Sequence, residues 1–179
     1  MSAPIVLVAH NSHRAWLLAF LGWSVFVVAV AVVAPAPLVA LAIVWATPIA
    51  AAAAFDAAAG RLPDNVVLPG AAAALAMAVL ADRWTTAVTG AVLLAGPMLI
   101  VHLARPEGFG FGDVKFGLLL GVGVGAIAVP LVVLTYFAAA MLHAGACVAL
   151  RCRERLLPFG PALAVASAAT MTLGLWRLT

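Results

Sequence analysis

The sequence predicts an all-α integral membrane protein, a polytopic bundle of about seven transmembrane helices. Hydrophobic residues make up 67% of its 179 residues and charged residues 8%. In ordinary globular proteins roughly half of the residues are hydrophobic and roughly a quarter are charged. This chain therefore has too little polar surface to cover a water-soluble core. The mean hydropathy of +1.24 also excludes a disordered chain, because disordered chains are polar and rich in charge.

The apolar runs give the expected helices, since a spanning helix needs about 20 mostly apolar residues. In order they are Ala15–Val33, Pro37–Phe55, Asn65–Ala81, Trp84–Ala104, Phe116–Leu150 and Gly160–Trp176. The run from residue 116 to residue 150 is long enough for two helices. Gly121, Gly123 and Gly125, followed by Pro130, predict the turn between those two, which brings the number of spans to seven.

We expect a first segment with one helix, residues 1–36, and a membrane core, residues 37–179. Arg14, the apolar run after it and Ala34-Pro35-Ala36 faintly resemble a signal peptide. That run has nineteen residues, whereas signal peptides usually carry about 7–15 apolar residues. A retained first helix is therefore favoured, and its removal would leave six helices.

The distribution of basic residues predicts the orientation in the membrane. With the amino terminus inside, the inner loops carry Arg14, Arg61, Arg105, Lys115, Arg151, Arg153 and Arg155, and the outer side carries Arg83 and Arg177. An excess of Lys and Arg marks cytoplasmic loops. We therefore expect the inner loops to face the cytoplasm.

Several other classes of function are disfavoured by the sequence. No basic tract with interleaved aromatic residues suggests a nucleic-acid partner. Cys147 and Cys152 form neither a zinc framework nor a redox C-x-x-C motif, and His102 and His143 are interpreted as packing residues. We expect no metal and no cofactor, with the lipid bilayer as the surrounding partner and a homo-oligomer left open.

Two aspartates are the first candidates for chemistry, because ionisable groups in spans are costly and are functional suspects by default. Asp56 ends the second span and Asp113 opens the fifth, and both fall on the predicted cytoplasmic side. Two carboxyl groups about 3 Å apart cannot both ionise and share one proton. Such a pair can activate a water molecule and protonate a carbonyl oxygen.

Structural roles remain open for each aspartate alone. Asp113 could cap a helix that begins at Val114, and Asp56 could be a hydrated residue at the end of a span. Glycines alternate with phenylalanines before Asp113, which would let an extended substrate approach the backbone there. Lys115 could interact with the pair or with substrate carbonyls.

Three segments together resemble the prepilin peptidases, the polytopic aspartic peptidases of type IV and related pili. The first is Asp56 followed six residues later by Leu62-Pro63. The second is the G-x-G-D motif of Gly110, Gly112 and Asp113, trailed by Lys115. The third is Pro158-Phe159-Gly160-Pro161, which comes before the last helix.

The resemblance implies an endopeptidase with Asp56 and Asp113 as its catalytic pair. Its implied substrate is a prepilin, with a short polar leader in the cytoplasm and an apolar helix in the bilayer. Cleavage would fall at the inner face of a bacterial or archaeal cytoplasmic membrane. The Leu62-Pro63 pair, Lys115, the two motif glycines and the Pro158–Pro161 segment are implied as binding or supporting residues.

Longer members of that family carry a cytoplasmic domain with paired cysteines that is linked to methylation of the new amino terminus. The sequence lacks such a cysteine-bearing insertion, so we expect no methyltransferase activity. Two competing hypotheses stay open. One is a transport component that uses Asp56 and Asp113 as relay carboxylates, and the other is a non-catalytic pilus-assembly partner.

Overall fold

The computed structural model describes residues 12–106, 110–149 and 158–177, and within those ranges it contains seven α-helices and no strand. In chain order the helices are α1 (Ser12–Val33), α2 (Ala36–Ala59), α3 (Asp64–Leu80), α4 (Trp84–Ala104), α5 (Phe111–Ile127), α6 (Pro130–Ala149) and α7 (Gly160–Trp176). The lengths and hydropathy of α1, α2, α4 and α6 suffice to cross a membrane, while α3 and α7 are shorter apolar helices. The predicted all-α membrane fold is confirmed.

The ends of α2 are defined by residues that cannot continue a helix. Pro35 separates α1 from α2 with an extended backbone, at φ −64° and ψ 150°. At the other end, Gly60 adopts the left-handed conformation, φ +61°, and its N–H donates to the Asp56 carbonyl at 2.8 Å. Glycine is favoured there because a Cβ is strained at positive φ. The helix therefore stops one turn after Asp56.

The predicted turn at Gly121, Gly123 and Gly125 is wrong. These glycines lie inside α5, which begins at Phe111, and the chain turns instead at Ala128 and Val129. A Cβ on Gly121 would lie 2.5 Å from the Gly90 carbonyl oxygen, and one on Gly125 would lie 2.6 Å from the Gly90 Cα. The glycines thus permit close packing of α4 against α5, as small residues do between membrane helices.

Helix α5 is the centre of the bundle. It contacts α2, α3, α4, α6 and α7, and Phe116, Leu119, Leu120 and Val124 are fully buried. A helix that is apolar on all sides is expected in an interior position. Its first turn, which carries Asp113, is therefore held by packing against five neighbouring helices.

A buried tryptophan fixes α2 against α5. Trp45 is fully buried, and its Nε1–H donates to the Leu119 carbonyl at 2.9 Å. The indole occupies the space beside Gly123, where any Cβ would collide with the ring. A buried indole N–H needs such an acceptor, so this contact sets the position of α2 along α5.

Helix α7 is tied to α6 by a polar contact in an apolar setting. The hydroxyl groups of Thr135 and Thr170 lie 2.8 Å apart, and both residues are buried. Gly174 lies against Leu131 and Ile127 in the same interface. These contacts hold the helix whose first residue is Gly160.

Helix α1 lies at the periphery, in contact with α2 and α7. The Trp23 Nε1–H donates to the Thr47 hydroxyl at 3.2 Å, and the Trp16 ring meets the edge of Phe55 with centroids 5.0 Å apart. Most of its large side chains are exposed, as lipid-facing residues would be. The proposed boundary after residue 36 remains a prediction.

Several residues used in the sequence analysis fall outside the described ranges. They are Arg151, Cys152, Arg153 and Arg155. The orientation inferred from the basic residues therefore remains a prediction as well.

Replacing Gly121 by alanine should destabilise the bundle, because the new Cβ would collide with the backbone of Gly90 and Ala91. We expect the free energy of unfolding to fall by about 1–3 kcal/mol, the usual cost of overpacking. Thermal unfolding of the purified protein in detergent measures this. Gly96→Ala is the matched control, since nothing lies within 4 Å of its Cβ position. Equal stability of the two variants would contradict the packing role.

Candidate active site

Asp56 lies in the last turn of α2 with its carboxylate turned into the protein. Its relative exposure is 7%, and its Oδ2 accepts a hydrogen bond of 3.1 Å from the Gly160 backbone N–H. A buried carboxylate without a donor is costly. One hydrogen bond therefore joins the segment that begins at Asp56 to the Pro158–Pro161 segment, 104 residues apart in the chain.

Glycine at position 160 is required by the closeness of that contact. A Cβ there would lie 2.5 Å from the Asp56 Oδ2 and 3.2 Å from its Cγ. Any side chain would therefore push the carboxylate away from the N–H that binds it. The hydrogen bond and the missing side chain act together, which sequence reasoning had not identified.

Asp113 lies in the first turn of α5 and is half-buried. Its carboxylate accepts a hydrogen bond from the backbone N–H of Gly110, the residue before the helix. An acidic side chain that reaches back to the N-cap in this way forms half of a capping box. The helix begins at Phe111, so the expectation that Asp113 caps a helix starting at Val114 is wrong.

The two carboxyl groups are brought to the same end of the bundle. Asp56 is near the end of α2, Asp113 is near the start of α5, and each is held by a backbone N–H. They lie within electrostatic range, so a charge on Asp113 acts on Asp56. This arrangement brings together the two aspartates singled out in the sequence.

Lys115 forms an ion pair with Asp64 and not with Asp56 or Asp113. Its Nζ lies 2.6 Å from the Asp64 Oδ2 and 4.8 Å from the centroid of the Phe111 ring. The Asp64 side chain is 58% exposed, so this ion pair is at the rim of the site. The sequence analysis did not identify Asp64 as the partner of Lys115.

The Leu62-Pro63 pair supports the glycine-aspartate segment. A Cβ on Gly112 would lie 3.3 Å from the Leu62 Cβ, so the leucine covers this glycine. Pro63 precedes α3, and its carbonyl accepts from the N–H groups of Val66 and Val67, each at 3.0 Å. Gly110, in contrast, is exposed, while its N–H donates to the Asp113 carboxylate and its carbonyl accepts from the Asp113 N–H at 3.0 Å.

The Pro158–Pro161 segment forms the start of α7. Phe159 lies before the helix, and its ring meets the His143 ring edge-on with centroids 5.2 Å apart. Pro161 occupies the first turn, where its lack of an N–H costs nothing. Pro158 is half-buried. The segment thereby presents the Gly160 N–H to Asp56.

No group of three His, Cys, Asp or Glu side chains in the described part of the chain is placed to hold a metal ion. Cys147 lies 3.7 Å from the His143 Nε2 on the same helix. The expectation of no metal and no cofactor stays a prediction.

Comparison with known proteins identifies relatives of this chain. The family model described as "Type IV leader peptidase family" matches residues 40–148, a stretch that includes both Asp56 and Asp113. Two proteins named "Prepilin leader peptidase/N-methyltransferase", from Burkholderia pseudomallei strains 1026b and K96243, are each 36% identical over 139 residues. The alignment covers 69% of this chain and 43% of each relative, so the chain spans less than half of their length. No solved structure matches.

Proposed function

The chain belongs to the type IV leader peptidase family, and we propose that it is a membrane aspartic endopeptidase. Its substrates are prepilin-like proteins, from which it removes the short cytoplasmic leader. The reaction takes place at the inner face of a bacterial or archaeal cytoplasmic membrane. The observation that carries this proposal is the meeting of Asp56 and Asp113 at one end of the bundle, within electrostatic range of each other.

In the proposed reaction the two carboxyl groups hold one proton between them, because both cannot be ionised at close range. The ionised carboxylate takes a proton from a water molecule, whose oxygen forms a bond to the scissile carbonyl carbon. The protonated carboxyl donates its proton to the carbonyl oxygen as the carbon becomes tetrahedral. As the C–N bond breaks, the carboxyl that took the proton from water gives it to the leaving amine. The other carboxylate takes a proton from a hydroxyl of the tetrahedral diol as the new C=O bond forms, so the pair again holds one proton.

The hydrogen bonds from backbone N–H groups to the two carboxylates are compatible with this mechanism. The Gly160 N–H occupies one oxygen of Asp56, and the Gly110 N–H binds the Asp113 carboxylate. Each carboxyl thus retains acceptor capacity for a water molecule or for its partner. Since the titration belongs to the pair, neither aspartate is assigned alone as the acid or the base.

The substrate must be extended to be cut, because the amides of a helix are closed off by their own hydrogen bonds. Gly110, three residues before Asp113, is exposed, whereas Gly112 is covered by Leu62. We therefore place the extended scissile segment beside Gly110. The Lys115–Asp64 ion pair lies at the same rim and would contact the polar leader.

Replacing either Asp56 or Asp113 by asparagine should abolish leader removal, since each variant loses one half of the proton-sharing pair. We expect a fall of at least about 10³-fold in kcat, with the double variant no worse than either single one, as for groups that act as a unit. Cleavage of a co-reconstituted prepilin, followed by mass spectrometry, measures this.

The control for that experiment is Asp82→Asn, which replaces an exposed aspartate in the turn between α3 and α4. Asn tolerates the positive φ of 56° found there. Cleavage that persists in both Asp56→Asn and Asp113→Asn would refute the catalytic pair. Loss of a proton or ion flux in these variants, with no prepilin cut by the wild type, would favour the transport hypothesis instead.

Replacing Gly160 by alanine should reduce cleavage without unfolding the protein, because the new Cβ displaces the Asp56 carboxylate from its N–H donor. A shift of about 1 Å in a catalytic group can cost about 10²-fold in rate, and we expect a loss of that order in kcat. Gly145→Ala on α6, with nothing within 4 Å of its Cβ position, should cleave at the wild-type rate. Equal rates for the two variants would show that Gly160 does not position Asp56.

A further inference from the structure

A long apolar groove runs between α1, α2 and α7 and encloses about 790 Å³. Its walls include Leu18 and Gly22 of α1, Ala50 and Ala53 of α2, and Ala164 and Ala168 of α7. None of the described residues that line the groove is charged. The groove is a feature of tertiary packing that the sequence patterns do not show.

One end of the groove is lined by residues that adjoin the candidate active site in the chain. Ala57, which follows Asp56 in α2, is part of the lining, and so is Pro161, which follows Gly160 in α7. The Gly160 N–H in turn holds the Asp56 carboxylate. Whatever occupies the groove therefore has one end beside the carboxyl group that is proposed to cut.

The dimensions of the groove suit a helix. Its lining extends from Ala15 to Ala29 on α1 and from Pro161 to Trp176 on α7, which corresponds to roughly 20 Å at 1.5 Å per residue. On α2 five of the seven lining residues are alanines at helical spacing, Ala46, Ala50, Ala53, Ala54 and Ala57, and the other two are Trp45 and Ile49. Small residues at such spacing let another membrane helix approach closely.

We propose that this groove binds the transmembrane helix of the substrate and aligns the helix end with Asp56. This inference rests on the proposed function, which supplies a substrate with an apolar helix directly after the leader. The uncharged walls complement a helix without charges and would reject a charged one, since an unpaired charge in apolar surroundings is costly. The helix lies along α2 and α7, and the peptide unwinds into an extended form where it reaches Gly110.

Filling the groove should impair cleavage only where the substrate carries its helix. Gly22 lines the groove and has open space around its Cβ position, so Gly22→Leu places a side chain in it. We expect kcat/KM for full-length prepilin, divided by that for a short peptide spanning the cut, to fall about tenfold, mainly through KM.

The matched control is Gly145→Leu, another exposed helical glycine with open space around it, on α6 away from the groove. Its ratio of kcat/KM values should equal that of the wild type. If Gly22→Leu and Gly145→Leu give the same ratio, the groove does not hold the substrate helix.

Photocrosslinking tests the occupant directly and does not depend on cleavage. A benzophenone amino acid replaces Ala50 in the groove or, as the control, the exposed Val88 of α4, each with Asp113→Asn to retain uncut prepilin. We expect a prepilin adduct through its apolar helix from position 50 and none from position 88. Equal adducts at both positions, adducts with lipid only, or adducts between two copies of this chain would each overturn the proposal.

The two experiments also separate this inference from the proposed function. Prepilin that is cut by the wild type but gives no adduct at position 50 overturns the groove alone. Failure of the wild type to cut any prepilin counts against the proposed function, while an adduct at position 50 would still support binding of the helix in the groove.

Discussion

The hydrogen bond from the Gly160 N–H to the Asp56 carboxylate is the interaction on which the site depends. It joins the end of α2 to the start of α7, and it supplies a donor to the carboxylate of a buried residue, Asp56, whose relative exposure is 7%. An unsatisfied group in that place would cost the fold free energy. The bond also fixes one oxygen of Asp56 and leaves the other for chemistry. Satisfying the fold and positioning the carboxylate that is proposed to be catalytic are therefore the same requirement here.

The second carboxyl group is positioned by different means, through a helix buried on all sides. Helix α5 has close contacts in which a side chain would not fit, including those of Gly121 and Gly125 with Gly90 and of Gly123 with Trp45. These contacts leave α5 little freedom to slide or rotate, so its first turn and Asp113 have a defined place. A carboxyl dyad that shares a proton needs its two carboxyl groups about 3 Å apart, and packing of α5 along its length limits where Asp113 can lie.

Most of the fold could be predicted from the sequence because apolar runs and their proline or glycine boundaries are local signals. The number of helices and the bounds of α4 and α7 agree with the structure. The turn placed at Gly121 was wrong because glycine breaks helices in water but serves close packing between membrane helices. The donor at Gly160, the Asp64 partner of Lys115 and the groove could not be predicted, since each joins segments that are distant in sequence and is created only by tertiary packing.

The placement of Lys115 has a chemical consequence for the pair. An ammonium group beside both aspartates would stabilise two negative charges at once and so remove the need to share a proton. In the structure the Lys115 Nζ instead lies 2.6 Å from the Asp64 carboxylate and over the Phe111 ring. Its charge is balanced at the exposed rim, two residues from Asp113 in sequence. In the proposed mechanism the ion pair would offer polar contacts to a leader peptide, and the mutual repulsion of Asp56 and Asp113 would keep one proton on the pair.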